Sequence, residues 1–419
     1  MNDFFAVLQE YNFWDNKTIH SGFIRDTYLK KILLYTNNGL IKVLCGQRRS
    51  GKSYIMRQII ANLIKNGVPA KNIFYLNKEI YAFDKIKTAN QVFELLNIYR
   101  EKLNPISKIY VFIDEIQEID EWERLINSLS QDYINEFEVF ISGSNSQLLS
   151  GELATILSGR YIQFEITPFS FYEFTAYYKL TKNRDSFITY LKKGGLPELL
   201  NFTNTETARH YVSSLKDTIV LRDIVQRYKI KDTYLLESLF RFLIDNIGNL
   251  CSVNSIVNYL KAQKINTNYD TIAGYINYLK QTYIIHEVER YDIKGKNVLS
   301  GVKKYYLNDL AFKNYLSSGF DIGMSQHLEN AIYMYFRSEG YTIHVGTIKN
   351  LEIDFVLQKE NDIKYIQVTR QLTSNEIIER EFGNMEKILN NYEKMVVSMD
   401  EFSIGTRKGI KHYCAWELL

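Results

Sequence analysis

The stretch Gly46–Ser53, "GQRRSGKS", decides how the rest of the chain is read. It fits G-x-x-x-x-G-K-[ST], a loop whose backbone N–H groups cradle phosphate oxygens. It follows the apolar run "LIKVLC" and opens the helical pattern "SYIMRQIIANLIKNG", in which Ile55, Ile59 and Leu63 form one stripe with Met56, Ile60 and Ile64 beside it. Strand, loop and helix is the order the chemistry requires. Gly46 and Gly51 let the backbone approach phosphate, and the helix N-terminus adds partial positive charge. Lys52 is placed to reach the β- and γ-phosphates, and Ser53 to ligate Mg²⁺. Gln47, Arg48, Arg49, Ser50 and Tyr54 complete the stretch expected to contact nucleotide. An ordinary Gly-rich turn is the competing reading.

Between residues 40 and 166, "NIFYLN", "KIYVFID", "FEVFISG" and "YIQFEIT" alternate with helical patterns. Buried runs separated by helices predict an α/β fold with a parallel sheet covered on both faces. "KIYVFIDEIQEI" ends its strand at Asp114, a second Mg²⁺ ligand, and Glu115 follows at once. A carboxylate beside the metal suits a general base acting on water, which favours hydrolysis over transfer to another substrate. The alternative is that Glu115 caps the next helix. In "VFISGSNSQLL", Ser144 or Asn145 is the candidate to orient that water or touch the γ-phosphate, against a plain turn. In "LSGRYIQFEI", Arg160 stands just before a strand, far from its own loop. It suits an arginine finger offered to a neighbouring subunit and so implies a homo-oligomer; a surface arginine is the plainer reading.

Composition sets wider bounds. The 419 residues are 46% hydrophobic and 24% charged, enough for more than one packed domain. A formal net charge of +3 is too mild to imply a polyanionic partner by itself. Cys45, Cys251 and Cys414 are widely separated and read as reduced core thiols, not a metal set. The N-terminal "MNDFFAVLQEY" lacks a basic leader pattern, and no apolar run reaches membrane-spanning length, so a cytoplasmic protein with no membrane partner is expected.

Taken in order, "GQRRSGKS", "FIDE", "GSNS" and "GRY" resemble the AAA-type ATPase module. With "GGLPELL" (194–200), "LRDIVQRY" (221–228) and "LEIDFVL" (351–357), the chain resembles a prokaryotic family in which that module precedes a C-terminal domain of unknown function. Gln47 stands where members often have proline. The resemblance implies ATP and Mg²⁺ as cofactors, roles for Lys52, Ser53, Asp114, Glu115, Asn145 and Arg160, and a sensor arginine on a helical lid, for which Arg222 and Arg227 are both candidates.

The division expected is an AAA-like ATP-binding domain over 1–169, a helical lid over 170–232, a winged helix over 233–310 and a nuclease-like domain over 325–419. The winged helix is read from three helical patterns and the ribbon "YIIHEVERYD" to "KKYYLND", and the family resemblance implies it too. Its candidate recognition helix, "NYDTIAGYINYLKQ", offers Asn268, Lys280 and Gln281 but no arginine, and the wing offers Lys294 and Lys296. This is a thin footprint for base readout, so DNA and a protein partner both stay open. From Ser325 the order αβββαβ resembles the PD-(D/E)XK nuclease core. Glu329 and Asp354 match its acids, but Gln367 and Thr369 replace the third-strand acid and lysine. Lys349 or Lys364 would have to migrate in. An inactive centre is expected, with Glu329 and Asp354 structural, and Glu376, Glu379, Arg380 and Glu381 as a solvated charged face.

The sequence therefore points to an ATPase coupled to C-terminal partner- or DNA-binding domains. The alternatives are a non-catalytic ATP-dependent switch or scaffold and an ATP-regulated DNA-processing nuclease.

Overall fold

Five short apolar runs form one parallel sheet in the order β2-β3-β4-β1-β5, from β1 (Ile41–Cys45), β2 (Ile73–Asn77), β3 (Ile109–Asp114), β4 (Phe137–Gly143) and β5 (Tyr161–Glu165). The computed structural model describes residues 2–15, 17–134, 136–146, 159–317, 323–349 and 351–419. Residues 147–158, which end "GSNSQLL" and begin "LSGRY", lie outside them. The chain divides into two compact units, Met1–Ile166 and Thr167–Leu419.

In the first unit the sheet is covered on both faces, as near-continuous burial along β1, β3 and β4 demands. One face packs Val43, Val111, Ile113 and Ile141 against the helix Ala89–Leu103; the other packs Leu44, Phe112 and Phe140 against the helix Lys52–Lys65. The outer edge of β2 is closed by side chains. Asn12 accepts from the Tyr75 N–H at 2.8 Å and donates to the Tyr75 carbonyl at 2.9 Å, and the Trp14 indole donates to the Ile73 carbonyl at 2.7 Å. The segment after the N-terminal helix Asn2–Tyr11 thus occupies hydrogen-bonding groups that an open edge would offer to another strand.

The second unit begins with helices Phe171–Tyr178, Arg184–Lys193 and Thr205–Thr218, the last continuing as a π-helix over Ile219–Gln226 that carries Arg222 and Asp223. Helices Thr233–Asp245, Val253–Ala262 and Tyr269–Gln281 follow. Then comes a mixed sheet of nine strands: β6 (Cys251–Ser252), β7 (Ile285–Asp292), β8 (Asn297–Leu307), β9 (Thr342–Ile348), β10 (Leu351–Lys359), β11 (Asp362–Val368), β12 (Glu393–Ser398), β13 (Thr406–Arg407) and β14 (Ile410–Cys414). Its order is β13-β14-β12-β11-β10-β9-β7-β8-β6. Parallel pairing of β7 with β9, through Arg290–Val345 to Asp292–Thr347, makes the β7–β8 ribbon and the later α/β segment one sheet. The segments read as lid, winged helix and nuclease-like domain all fall within this unit.

The charged face expected on the helix Asn375–Glu386 is not wholly solvated. Glu381 is buried, turned toward the core beside Phe382 and compensated by Arg380, while Glu379 pairs with Arg407 at 2.5 Å.

"GGLPELL" has a structural reason. Asp309 accepts from the Gly195 N–H through one oxygen and the Ala311 N–H through the other, both at 2.8 Å. A Cβ on Gly195 would lie 2.2 Å from the Phe169 carbonyl oxygen, so no larger residue fits without moving backbone. Gly195→Ala is expected to cost about 3 kcal/mol. Asp309→Asn, which leaves one N–H without an acceptor, should cost about 1–3 kcal/mol. Urea denaturation followed by intrinsic fluorescence checks both; a midpoint unchanged in either variant would contradict this clasp.

Candidate functional site

In the first unit, parallel pairing puts the carboxyl ends of β1, β3 and β4 side by side: Cys45 pairs with Gly143, and Ile113 with Ile141. The loop that leaves β1, the acids that end β3 and the serines that end β4 therefore meet at one edge, where open α/β sheets bind ligands.

Gly46 leaves the strand with φ 142°, and a Cβ there would lie 2.3 Å from the Ile166 carbonyl oxygen. Glycine is required on both counts. Lys52, buried at the first turn of its helix, donates to the carbonyls of Gly46 (3.0 Å) and Gln47 (3.1 Å) and so arches over the loop. Ser50 is buried, and its hydroxyl has no hydrogen-bond partner among the described residues. Gln47 is wholly buried. Arg48 is buried and paired with Glu79 at 2.8 Å. Arg49, at φ 67°, is exposed, as is Tyr54, whose ring carries the Arg57 guanidinium 4.1 Å from its centroid. Behind the loop the buried Arg25 donates to the Ser50 carbonyl at 3.0 Å, and Gln58 accepts from the Arg25 backbone at 3.1 Å. These two residues fasten the loop's far side to the segment before β1.

Asp114 is fully buried. Burial and the neighbouring Glu115 push its carboxyl up, while hydrogen bonds from Ser142 and Ser53 and the charge of Lys52 oppose the rise. The Tyr75 hydroxyl lies 3.3 Å from its other oxygen. Glu115 adopts a left-handed conformation, φ 56° and ψ 54°, uncommon for a residue with a side chain. Its carboxylate lies 3.8 Å from the Lys52 ammonium. Burial raises its pKa, but Lys52, Arg48, Gln117 and Ser144 together outweigh burial and hold it below the ordinary range. Ser142 ties the pair together: its hydroxyl donates to Asp114 and accepts the Glu115 N–H at 3.1 Å.

Ser53, Lys52, Asp114, Glu115 and Ser144 are thus brought together. Asn145 is buried on the same turn. Arg160 is exposed, and its carbonyl accepts the Ile41 N–H at 2.9 Å at the start of β1. The length of β1, roughly 16 Å at about 3.3 Å per residue, separates it from its own loop. Sequence reading missed Ser142, Gln117, Tyr75 and Arg25. Only Ser142 carried a signal, as a polar residue closing an otherwise apolar strand.

Residues 38–175 match the AAA domain, and residues 184–325 match a domain of unknown function (DUF8612). An uncharacterized protein of Haemophilus influenzae is 34% identical over 383 residues, 89% of this chain and 92% of its own. The chain belongs to this AAA-domain family. An uncharacterized protein of Methanocaldococcus jannaschii is 30% identical, with 85% of this chain and 78% of its own length covered. Among solved structures, the Aeropyrum pernix ORC1 protein in complex with DNA is 15% identical with a TM-score of 0.34, over 73% of this chain and 96% of that one, a likeness too loose to build on.

In the second unit of this AAA-family chain, the helix residues considered for base readout are engaged, whereas Lys294 and Lys296 of the wing are exposed. Asn268 caps its own helix by accepting from Thr271 at 2.9 Å, Lys280 pairs with Glu287 at 2.8 Å, and Gln281 accepts from the Tyr228 hydroxyl. Arg222 and Arg227 are both exposed. Among the described residues no helix is long and apolar enough to cross a membrane.

Removing the Ser142 hydroxyl leaves Asp114 and the Glu115 N–H each short of a bond inside the protein. Ser142→Ala is expected to destabilise the first unit by about 1–3 kcal/mol, read as a lower urea midpoint, and no change would show that this bridge is dispensable.

Proposed function

We propose that the first unit binds ATP with Mg²⁺ at Gly46–Tyr54 and hydrolyses it, and that the cycle is coupled to partner binding by the second unit. The observation that carries this reading is Glu115. An ionised carboxylate is held beside the metal-ligand candidate Asp114 and 3.8 Å from Lys52, in a backbone conformation that costs energy to maintain. A loop that merely held nucleotide would need Lys52, Ser53 and Asp114 but no such base.

The donor set fits a hard divalent cation. The Ser53 hydroxyl and the Asp114 carboxylate are both oxygen ligands and already share a hydrogen bond. They would hold Mg²⁺, which would neutralise charge on the nucleotide's phosphates. Lys52, now bound to loop carbonyls, exchanges these for phosphate oxygens. The Ser50 hydroxyl, buried without a partner among the described residues, finds one there. Glu115 accepts the proton of the attacking water, and Asn145, with Ser144, orients that water. Arg160, at the far end of the sheet, acts on the site of a neighbouring copy and stabilises charge on the transferring phosphoryl group. The engagement of Asn268, Lys280 and Gln281 within the fold favours a protein partner over base readout for the second unit.

Mixing two inactive variants tests the shared site. Lys52→Ala and Arg160→Ala should each hydrolyse ATP at least about a hundred-fold more slowly than wild type. Their mixture should regain a measurable fraction, because a mixed interface pairs an intact loop with an intact arginine. A mixture as inactive as its parts would remove Arg160 from the mechanism. The lowered pKa of Glu115 keeps it ionised throughout neutral pH and lost as a base only on acidification below the ordinary carboxylate range. Turnover should therefore show no acid limb between about pH 6 and 8; a limb centred there would assign the base to another group.

A further inference from the structure

The strongest unexplained cluster in the second unit surrounds Lys304. This residue lies on β8, outside the αβββαβ segment, and its side chain is 3% exposed. Its ammonium is 2.8 Å from Glu329, 2.7 Å from Glu352 and 3.7 Å from Asp354. Two residues along the same strand, the Tyr306 hydroxyl donates to the Glu329 oxygen that Lys304 contacts, at 2.6 Å. Asp354 also accepts the Val368 N–H at 2.8 Å. Because Phe355 pairs with Ile366 across the antiparallel strands β10 and β11, Asp354 and Gln367 stand opposite one another on one face. Gln367 is buried, and its amide oxygen has no hydrogen-bond partner among the described residues.

Glu329 and Asp354 are the acids that resemble a nuclease metal centre, and such a centre gathers carboxylates around a hard cation with oxygen ligands only. The residues here do not fit that cation. The point where the acids converge is held by an ammonium, and Gln367 supplies an amide where a third-strand acid would add charge. Among the described residues no group of three His, Cys, Asp or Glu side chains is arranged to hold a metal ion. Neither lysine that would have to migrate in is held there: Lys349 is exposed, and Lys364 pairs with Glu393 at 2.7 Å.

We infer that Lys304 is a built-in counter-ion standing in the place of a divalent cation, so that this centre takes no metal and joins the β7–β8 ribbon to the α/β segment by ion pairing. The carboxylates stay together because a covalently tethered cation offsets part of their charge. Removing that cation uncovers a latent metal site.

Titration with Mn²⁺, followed by electron paramagnetic resonance of the free ion, tests this on the full chain. All proteins carry Asp114→Asn to silence the loop site. That parent should bind no Mn²⁺ that depends on Asp354. Lys304→Met should bind one Mn²⁺ at least about ten-fold more tightly than the parent, since ligand charge sets affinity, and adding Asp354→Asn should abolish the gain. Lys304→Gln, which keeps a donor for Glu329, serves if Lys304→Met does not fold. Mn²⁺ binding by the parent that Asp354→Asn removes would overturn the inference, and so would a folded Lys304 variant with no gain. The parent titration decides the matter even if both variants unfold.

Discussion

Two adjacent carboxylates are buried at the end of β3, and the first unit is organised around that constraint. Burial and the neighbouring Glu115 both raise the cost of ionising Asp114, and neither acid could remain buried there unpaired. Lys52 comes to them from the loop after β1, Ser142 and Ser144 from the end of β4, and Ser53 from the first turn of the loop's helix. The parallel order β3-β4-β1 is what lets three separate segments supply those groups within hydrogen-bonding reach. The two acids end differently: burial and Glu115 push Asp114 up, whereas Lys52, Arg48 and nearby donors hold Glu115 down.

The second unit settles buried charge by another route. Lys304 on β8 reaches two carboxylates of β10 and one of the helix Met324–Ser338, and Asp309 is satisfied by backbone N–H groups of the "GGLPELL" turn and of Ala311. Both arrangements bind segments far apart in sequence. They help explain why the β7–β8 ribbon and the later α/β segment share one sheet. Electrostatics in the first unit gathers Lys52 and three serines around two buried acids at the sheet edge, whereas in the second it closes the cluster on itself.

Much of the first unit was legible because its signals are local. The apolar runs, the loop glycines and the acids of "FIDE" each sit within a few residues of the feature they specify. Glu115 was readable as a candidate base, but its left-handed backbone and its pairing with Lys52 were not, since both depend on β4 lying between β3 and β1. Arg25 was invisible for the same reason: one arginine in an unpatterned segment gains its role by packing against Ser50. The element order after Ser325 could also be read, including the replacement of an acid by Gln367. Lys304 could not be found by searching the core's own strands, because it arrives from the ribbon. The short strands β13 and β14 carried too little pattern to register.

The account rests on Glu115 acting as a base rather than as a helix cap, and one measurement separates these roles. Equilibrium ATP binding and single-turnover hydrolysis should be followed side by side for wild type and Glu115→Gln. The account predicts near-equal affinity with cleavage slowed at least about a hundred-fold in the variant, because only the proton acceptor is lost. Cleavage at the wild-type rate, or a wild type that binds ATP without cleaving it, would contradict it.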